Sequence, residues 1–134
     1  MRFMAHGIDL VECSRIEDLL SRHGERFTHR VFTPAEQEYA GSAVNRTERL
    51  AGRFAAKEAV MKLIGTGWRG GIAWTDIEVV NDVMGRPRVN LSGEVERIAR
   101  QQGVDQVSLS ITHTANLAIA SAVALAETHE DPRV

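Results

Sequence analysis

The sequence predicts an α+β fold in which a mainly antiparallel sheet packs against one long helix and several short helices. Three observations predict this class. Alternating apolar and polar residues mark strands near the start, in the second half and at the end of the chain. Helical spacing of apolar residues fills the interval after the first strand. The resulting order, β-α-α-α-β-β-α-β-β, joins consecutive strands by short turns, which is typical of antiparallel pairs.

Four elements are predicted in the first half of the chain, a strand over residues 3–12 and three helices. Each helix starts at a side chain that can cap its first turn. The three start signals are Ser14 with Glu17, "TPAE" at 33–36 and "NRTE" at 45–48. Gly24 ends the first helix, and the glycines of "GTG" at 65–67 end the third, which is the longest.

Two strand pairs and a short helix are predicted in the second half. The strands are 75–81, 86–92, 107–113 and 117–125. Gly85 supplies the positive φ of the turn in the first pair, and a helix over 93–102, capped by Ser92, separates the two pairs. Alanine also allows a helix over 117–125, but the alternation of large residues with alanine favours a strand.

Length and composition indicate one globular domain, residues 1–126, with a polar tail at 127–134. Hydrophobic residues make up 43% and charged residues 25%, an ordinary balance for a globular protein. The net charge of −2 argues against general nucleic-acid binding. A single cysteine, Cys13, excludes a disulfide within the chain and fits a reducing compartment. With no leader-like or membrane-spanning stretch, we expect a cytoplasmic protein.

Three charged residues occupy unusual places on the longest helix. At about 100° per residue, Lys57 falls inside the apolar stripe and Glu58 on its edge. Lys62 follows Glu58 by four residues, so their side chains are neighbours. Burial of an unpaired charge is expensive. Either Lys57 pairs with a nearby acid, or this face belongs to a site or a subunit interface.

Asp9 is unusual because aspartate is depleted from strands. Alternation places it on one face with Gly7 and Val11, where the glycine leaves room for a bulky ligand. The alternative is an aspartate on an edge strand, facing water. Together, Asp9 and Glu58 supply two carboxylates without cysteines or paired histidines, which suits Mg²⁺ completed by water and substrate phosphate. The nearby lysines add cations, so the pattern indicates phosphoryl transfer.

Three further features have a functional and a structural interpretation. The "GTG" glycines follow a helix, so they form no phosphate loop of the usual kind, and they chiefly end the helix while allowing close approach of a ligand. His113, in "SLSITHT" at 108–114, is either structural or a hydrogen-bond and proton partner of a phosphate. Arg15, Arg22 and Arg26 form either a solvated face or a dock for an acidic partner.

Three segments resemble the holo-[acyl-carrier-protein] synthases, the small bacterial phosphopantetheinyl transferases. They are "GIDLVECSRI" (7–16), "LAGRFAAKEAVMKLIGTG" (50–67) and "SLSITHT" (108–114). The likeness covers nearly the whole chain in order and spacing, and the F-x-x-K-E-A core is its most specific part. The first strand departs from the family pattern at Ala5, often glycine, and at His6, usually aliphatic.

The resemblance implies the 4′-phosphopantetheinyl transferase fold and transfer of phosphopantetheine from coenzyme A to a serine of apo acyl carrier protein, with release of adenosine 3′,5′-bisphosphate. It implies catalysis by Glu58, Asp9 and Lys62, with Mg²⁺ held by Asp9 and Glu58. It implies coenzyme contacts at Lys57, Lys62, Gly65, Gly67, His113 and Thr114. It also implies a homotrimer with active sites between subunits, and docking of the acidic carrier protein on Arg15 and Arg22. The serine proton passes to Glu58 or to a metal-bound water, and the residues do not choose between them.

Two other functions fit parts of the pattern. A Mg²⁺-dependent nuclease or phosphohydrolase also uses an aspartate followed far along the chain by glutamate and lysine, but a net charge of −2 argues against a surface that follows DNA. A non-catalytic module that binds an acidic protein through the first helix leaves Asp9, Lys57 and Glu58 unexplained.

Overall fold

One long helix lies across a three-stranded antiparallel sheet, and a smaller hairpin packs beside it. The computed structural model describes residues 1–42, 44–68 and 70–127. Its elements are β1 (Arg2–Glu12), α1 (Cys13–His23), α2 (Glu25–Val31), α3 (Pro34–Ala40), α4 (Arg46–Ile64), a short 3₁₀ helix (Trp74–Asp76), β2 (Ile77–Asn81), β3 (Pro87–Leu91), α5 (Gly93–Gln101), β4 (Val107–Thr114) and β5 (Leu117–Glu127). Within the described ranges, no helix is long and apolar enough to span a membrane.

The strands form two sheets, not the single sheet that the sequence predicted. The larger has the order β1-β5-β4, and the smaller is the β2-β3 hairpin. All described strand pairs are antiparallel, which confirms the predicted α+β class. No β3–β4 pairing occurs among the described strands, and residues of α5 and of the turn after it line a cavity together with β3 and the start of β4.

Small residues allow α4 to approach the sheet closely. The inner face of β5 is a row of buried alanines, and Ala55, Ala56 and Ala59 of α4 are fully buried. A Cβ atom at Gly7 would overlap the carbonyl oxygen of Ala59 and lie 2.7 Å from the backbone nitrogen of Leu63. Gly7 therefore makes room for the helix, and the expectation that it leaves space for a bulky ligand is wrong.

The helix starts follow the predicted signals in part. The capping box of α3 is confirmed: Thr33 Oγ1 accepts from the Glu36 backbone nitrogen, and Glu36 Oε1 accepts from the Thr33 backbone nitrogen. Ser14 does not cap α1, because β1 continues directly into that helix. Its backbone nitrogen donates to Asn116 Oδ1 at 3.0 Å. The residues that precede α4 and α5, Asn45 and Ser92, make no side-chain cap bond.

The helix α2 is an element that the sequence-based order lacks. It begins immediately after Gly24, which also ends α1, and no separate start signal marks it. Its Phe27, Thr28 and Val31 are buried, so tertiary packing stabilises this short helix.

The outer face of the larger sheet carries exposed apolar residues on β1 and β5, whereas its β4 strand presents serine and threonine. On β1, Met4, Ile8 and Leu10 are exposed to 63%, 52% and 55%, and Leu125 on β5 is exposed to 52%. The predicted strand at the end of the chain is confirmed and extends to Glu127. The rest of the predicted tail, 128–134, lies outside the described residues.

Candidate active site

Asp9 and Glu58 come together where β1 faces α4, as the strand and helix patterns predicted. The Asp9 side chain points to the inner face of β1 and is 17% exposed. Lys62 Nζ lies 3.1 Å from Asp9 Oδ1 and donates to the Ile8 carbonyl oxygen at 3.0 Å. The structure thus joins Asp9, Glu58 and Lys62 in one cluster, and the alternative of a free aspartate facing water does not describe Asp9.

The carboxyl group of Glu58 is half-buried, and its surroundings oppose its ionisation. Burial raises its pKa first, and the negative charge of Asp9 raises it further. The Trp68 indole N–H, Arg15 and Lys62 lower this pKa without cancelling the rise. A cation placed between Asp9 and Glu58 would relieve this repulsion, so the site favours binding of positive charge.

The donor set of this cluster fits Mg²⁺. Within residues 1–42, 44–68 and 70–127, no three histidine, cysteine, aspartate or glutamate side chains are grouped to enclose a metal. Two carboxylates alone suit an ion that keeps water and takes substrate phosphate oxygens. They do not suit zinc, which takes nitrogen and sulfur ligands in closed sites.

Lys57 lies apart from this cluster. Its side chain is completely buried, and Nζ lies 2.8 Å from Glu36 Oε1. Nζ also donates to the carbonyl oxygens of Trp74, at 3.2 Å, and Ile77. Burial lowers the pKa of Lys57, and the charge of Glu36 opposes that effect. This is the buried lysine–acid pair that the sequence left open as an alternative, and the position of Lys57 does not support the predicted coenzyme contact.

Gly65 and Gly67, which follow α4, adopt backbone conformations that favour glycine. Gly65 has φ of 82° in the left-handed region, and its nitrogen donates to the Met61 carbonyl oxygen at 2.8 Å. Gly67 also has positive φ, 71°. A Cβ atom at either position would meet no atom of the described residues within 4 Å, so both glycines border open space in that part of the chain. Gly65 ends the helix as predicted, and the open space leaves both glycines accessible to a ligand.

His113 and Thr114 are not brought to the cluster within this chain. They lie on β4, which β5 separates from β1, so about 10 Å of sheet lies between β4 and β1. His113 Nε2 lies 2.9 Å from the Glu48 carbonyl oxygen. The ring covers Gly52, where a Cβ atom would come within 2.9 Å of Nε2. Inside one chain, His113 thus has the structural role that the sequence allowed.

Arg15 lies beside the cluster in a groove between α1 and α2. Its guanidinium lies over the Phe54 ring, 5.2 Å from the centroid. The groove has a volume of about 600 Å³ and is lined by Arg15, Leu19, His23, Arg26, Phe27, Arg30, Val31, Phe54 and Trp74. Arg22 does not line it and pairs with Asp18 at 3.2 Å on the exposed surface. The sequence missed Arg30, since the Arg26–Arg30 spacing signals a common face only once α2 is recognised.

Three aromatic rings stack beside Glu58, and the sequence gave little sign of them. Trp68 stacks on Trp74 with centroids 3.8 Å apart, and Trp74 stacks on Phe54 at 5.1 Å. Trp68 Nε1 is buried and has no hydrogen-bond partner in the described part of the chain, so its approach to Glu58 falls short of a hydrogen bond. Trp68 lies within the glycine-rich segment 65–73 and Trp74 directly follows it, and that placement was the available signal.

Comparison with known proteins decides the family. The model of the 4′-phosphopantetheinyl transferase superfamily matches residues 5–121. The chain belongs to the 4′-phosphopantetheinyl transferase superfamily. This confirms the resemblance inferred from the three sequence segments. Within the superfamily, the chain is 48% identical to holo-[acyl-carrier-protein] synthase of Solibacter usitatus (strain Ellin6076) over 117 residues, 87% of this chain and 94% of that protein.

Solved structures of such transferases have the same fold. The holo-[acyl-carrier-protein] synthase of Neisseria meningitidis superposes with a TM-score of 0.81 at 34% identity, covering 90% of this chain and 96% of that one. The Helicobacter pylori holo-[acyl-carrier-protein] synthase, solved in complex with coenzyme A, gives a TM-score of 0.78 at 29% identity, with 89% and 98% covered.

Proposed function

We propose that this chain transfers the 4′-phosphopantetheine group of coenzyme A to a serine of apo acyl carrier protein. The observation that carries the proposal is the cluster of Asp9, Glu58 and Lys62 in a chain of this superfamily. In the reaction, the serine oxygen attacks the phosphorus next to the pantetheine arm. The bond from that phosphorus to the bridging oxygen breaks, and adenosine 3′,5′-bisphosphate leaves with the electron pair.

Asp9 and Glu58 would hold Mg²⁺, which supplies charge neutralisation at the pyrophosphate. Lys62 pairs with Asp9 in this structure, but its side chain is 55% exposed and can turn towards a phosphate oxygen. The serine proton passes to Glu58, directly or through water. In the metal-free chain, burial and the charge of Asp9 raise the pKa of Glu58, and a bound cation would oppose that rise.

The remaining coenzyme contacts are proposed for Lys62, Gly65 and Gly67 on this chain and for His113 and Thr114 on a neighbouring copy. The separation of β4 from β1 supports this division. A homotrimer with active sites between subunits would supply both halves. The exposed apolar residues on the outer face of β1 and β5 support such an assembly, because apolar patches mark contact surfaces. Sedimentation equilibrium should return three times the mass of the chain; a monomer would exclude the shared site.

The acidic carrier protein would dock in the α1–α2 groove. Arginines at its rim and the rings of Phe27 and Phe54 on its floor combine positive charge with apolar surface. Arg15 lines this groove, and its positive charge also lowers the pKa of Glu58. Arg15 therefore links the proposed dock to the proposed metal site.

Charge reversal on α1 should weaken carrier-protein binding more than coenzyme binding. In the Arg15→Glu, Arg22→Glu double variant we expect the KM for the carrier protein to rise at least about tenfold, equivalent to ~1.4 kcal/mol, while coenzyme A affinity changes little. Of the single variants, Arg15→Glu should have the larger effect, because Arg22 is already paired with Asp18. Steady-state kinetics with each substrate varied measure this, and equal effects on both substrates would contradict the docking surface.

The transfer itself is tested by intact mass spectrometry of the carrier protein. After incubation with coenzyme A and Mg²⁺, apo acyl carrier protein should gain one phosphopantetheine, and a chelator should prevent the gain. Asp9→Ala should prevent it as well. No gain on several carrier proteins, from folded enzyme, would remove this function and favour a phosphohydrolase.

The cellular setting is also a proposal. We place the protein in the cytoplasm, in the supply of carrier protein for fatty acid biosynthesis. The single free cysteine, Cys13, supports a reducing compartment. Fractionation of cells with an antibody against the chain tests the location, and recovery in a membrane or extracellular fraction would contradict it.

A further inference from the structure

We propose that His6 makes self-association of this chain depend on pH: copies assemble through the outer face of the larger sheet while the imidazole is neutral, and its protonation causes them to dissociate. The inference rests on the proposed function, because that proposal joins copies of the chain into an assembly with shared sites. His6 itself takes no part in the transfer.

His6 lies in the middle of the outer face of β1. The side chains of Met4, His6, Ile8 and Leu10 alternate with those of inward-facing residues and are exposed. On β5, His6 is opposite Val123 in the antiparallel register. The adjacent positions along its own strand and directly across the sheet are therefore apolar. The same position is usually aliphatic in the family that the sequence resembles, so a titratable side chain there is a departure of this chain.

Charged groups on this face lie far from His6 along the strand. In the β1–β5 ladder of the described residues, no carboxylate occupies a position next to His6 on the outer face. Strand alternation places Arg2 and Glu12 on that face, about 13 Å and about 20 Å along β1, and Asp9 on the opposite face. The charged groups on or beside the outer face are Arg2, Glu12, Lys62, Asp105 and Glu127. A protonated His6 would therefore be covered without an adjacent counter-ion from its own chain, and burial of an unpaired charge is costly.

Two observations favour a second copy of the chain as the partner of this face. His113 and Thr114, on β4 of the same sheet, lie about 10 Å from β1, so the proposed site needs β4 of another copy. At one end of the face, Arg2 on β1 and Glu127 on β5 lie opposite each other in register and have opposite charge. A face without a cluster of one sign can meet an identical face without strong repulsion, and it offers no electrostatic attraction to a strongly acidic or basic partner.

The pH dependence follows from the difference between the free and the covered imidazole. In the separate chain His6 is exposed, and water solvates either charge state. In the assembly, apolar side chains would replace that water and favour the neutral form. Histidine ordinarily changes its charge between about pH 5 and 8, so acid should shift the equilibrium towards separate chains. Because each copy brings its own His6, the effect is multiplied by the number of copies in the assembly.

Sedimentation equilibrium at about pH 7.5 and about pH 5.5 tests this on the full chain. We expect the concentration at which half of the assembly dissociates to rise at least about tenfold at the lower pH. His6→Val supplies an aliphatic residue that suits a strand, and its assembly should change less than about twofold between the two pH values. His29→Gln is the matched control: this histidine is exposed on α2, outside the sheet, and the variant should dissociate in acid like the unmodified chain.

His6→Lys supplies a permanent charge and tests the same step at neutral pH. The position is exposed in the separate chain, so the variant should fold, which circular dichroism checks. It should remain dissociated at about pH 7.5, at concentrations where the unmodified chain is assembled. Transfer activity gives a second readout. Because the proposed site is shared between copies, activity lost in acid through dissociation should return when the enzyme concentration is raised, whereas activity lost through titration of Glu58 should not.

The outcomes separate the role of His6 from the proposed function. An unmodified chain that stays assembled in acid, or a His6→Val variant that dissociates as readily as the unmodified chain, would overturn the role of His6 and leave the proposed function intact. Normal assembly of His6→Lys would overturn it as well. A chain that is monomeric at both pH values would remove the shared assembly and this role with it, and the mass-spectrometric transfer assay then tests the activity on its own.

Discussion

Glu58→Gln should reduce phosphopantetheine transfer about 10²–10⁴-fold or more while the chain stays folded. The amide cannot accept the serine proton and is a weaker ligand for a hard cation than a carboxylate. Because burial and the charge of Asp9 raise the pKa of Glu58, its ionised form is destabilised in the folded chain, and a neutral side chain should be tolerated. Intact mass spectrometry of the carrier protein gives the rate, and circular dichroism checks the fold.

The pH dependence of stability gives an independent check on the same residue. A carboxyl whose folded pKa is raised binds its proton more tightly in the folded state, so its contribution to stability is fully present below the ordinary glutamate pKa. That contribution is lost as pH rises through the raised value. The stability of the unmodified chain relative to Glu58→Gln should therefore fall with rising pH across this window. Glu38→Gln, at an exposed position on α3, is the control and should be fully active. A fully active Glu58→Gln would exclude Glu58 as both ligand and base.

Lys57→Met should destabilise the fold by about 3–5 kcal/mol. The substitution leaves the carboxylate of Glu36 buried without its cation, and Glu36 is held there by hydrogen bonds from the backbone nitrogens of Thr33 and Val79. Equilibrium unfolding in urea measures the loss, with circular dichroism as the probe.

The double variant Lys57→Met, Glu36→Gln distinguishes loss of the Lys57–Glu36 ion pair from loss of side-chain packing. It should recover part of the lost stability, because the amide of glutamine needs no cation and can still accept from the backbone. Lys62→Met is the matched control: its ion pair with Asp9 is partly exposed and should contribute no more than about 1 kcal/mol. Equal losses for Lys57→Met and Lys62→Met would show that burial of the Lys57 pair does not stabilise the fold.

The cluster of Asp9, Glu58 and Lys62, which the proposal assigns to a metal site, could be recognised from the sequence because its members break a regular pattern. Asp9 interrupts a strand, and Glu58 lies at the edge of an apolar stripe with Lys62 one turn later. Local periodicity is enough to show such residues, since it fixes which face each occupies. The antiparallel class and nearly all the strand and helix positions followed from the same local signals.

The features that the sequence did not predict depend on contacts between residues far apart in the chain. Lys57 broke the pattern as clearly as Glu58, but its partner Glu36 lies 21 residues away and already had a local role in the capping box of α3. Gly7 suggested room for a ligand, whereas the approach of Ala59 determines its role. The stack of Trp68, Trp74 and Phe54 gave little signal, because a stack of rings has no period along the sequence.

The direct junction between β1 and α1 determines how two of the proposed functional residues are spaced. No loop separates Glu12, the last residue of β1, from Cys13, the first residue of α1. The turn between β4 and β5 stabilises this junction through Asn116. The backbone oxygen of Asn116 accepts from the Cys13 nitrogen at 2.7 Å, and its Oδ1 accepts from the Ser14 nitrogen at 3.0 Å. Asp9, before the junction, belongs to the proposed metal site, and Arg15, after it, belongs to the proposed dock. These two residues therefore lie on one continuous strand–helix segment whose junction is held by two hydrogen bonds from its backbone nitrogens. If the proposed site and dock are correct, the spacing between the metal and the docked carrier protein follows from the path of this one segment.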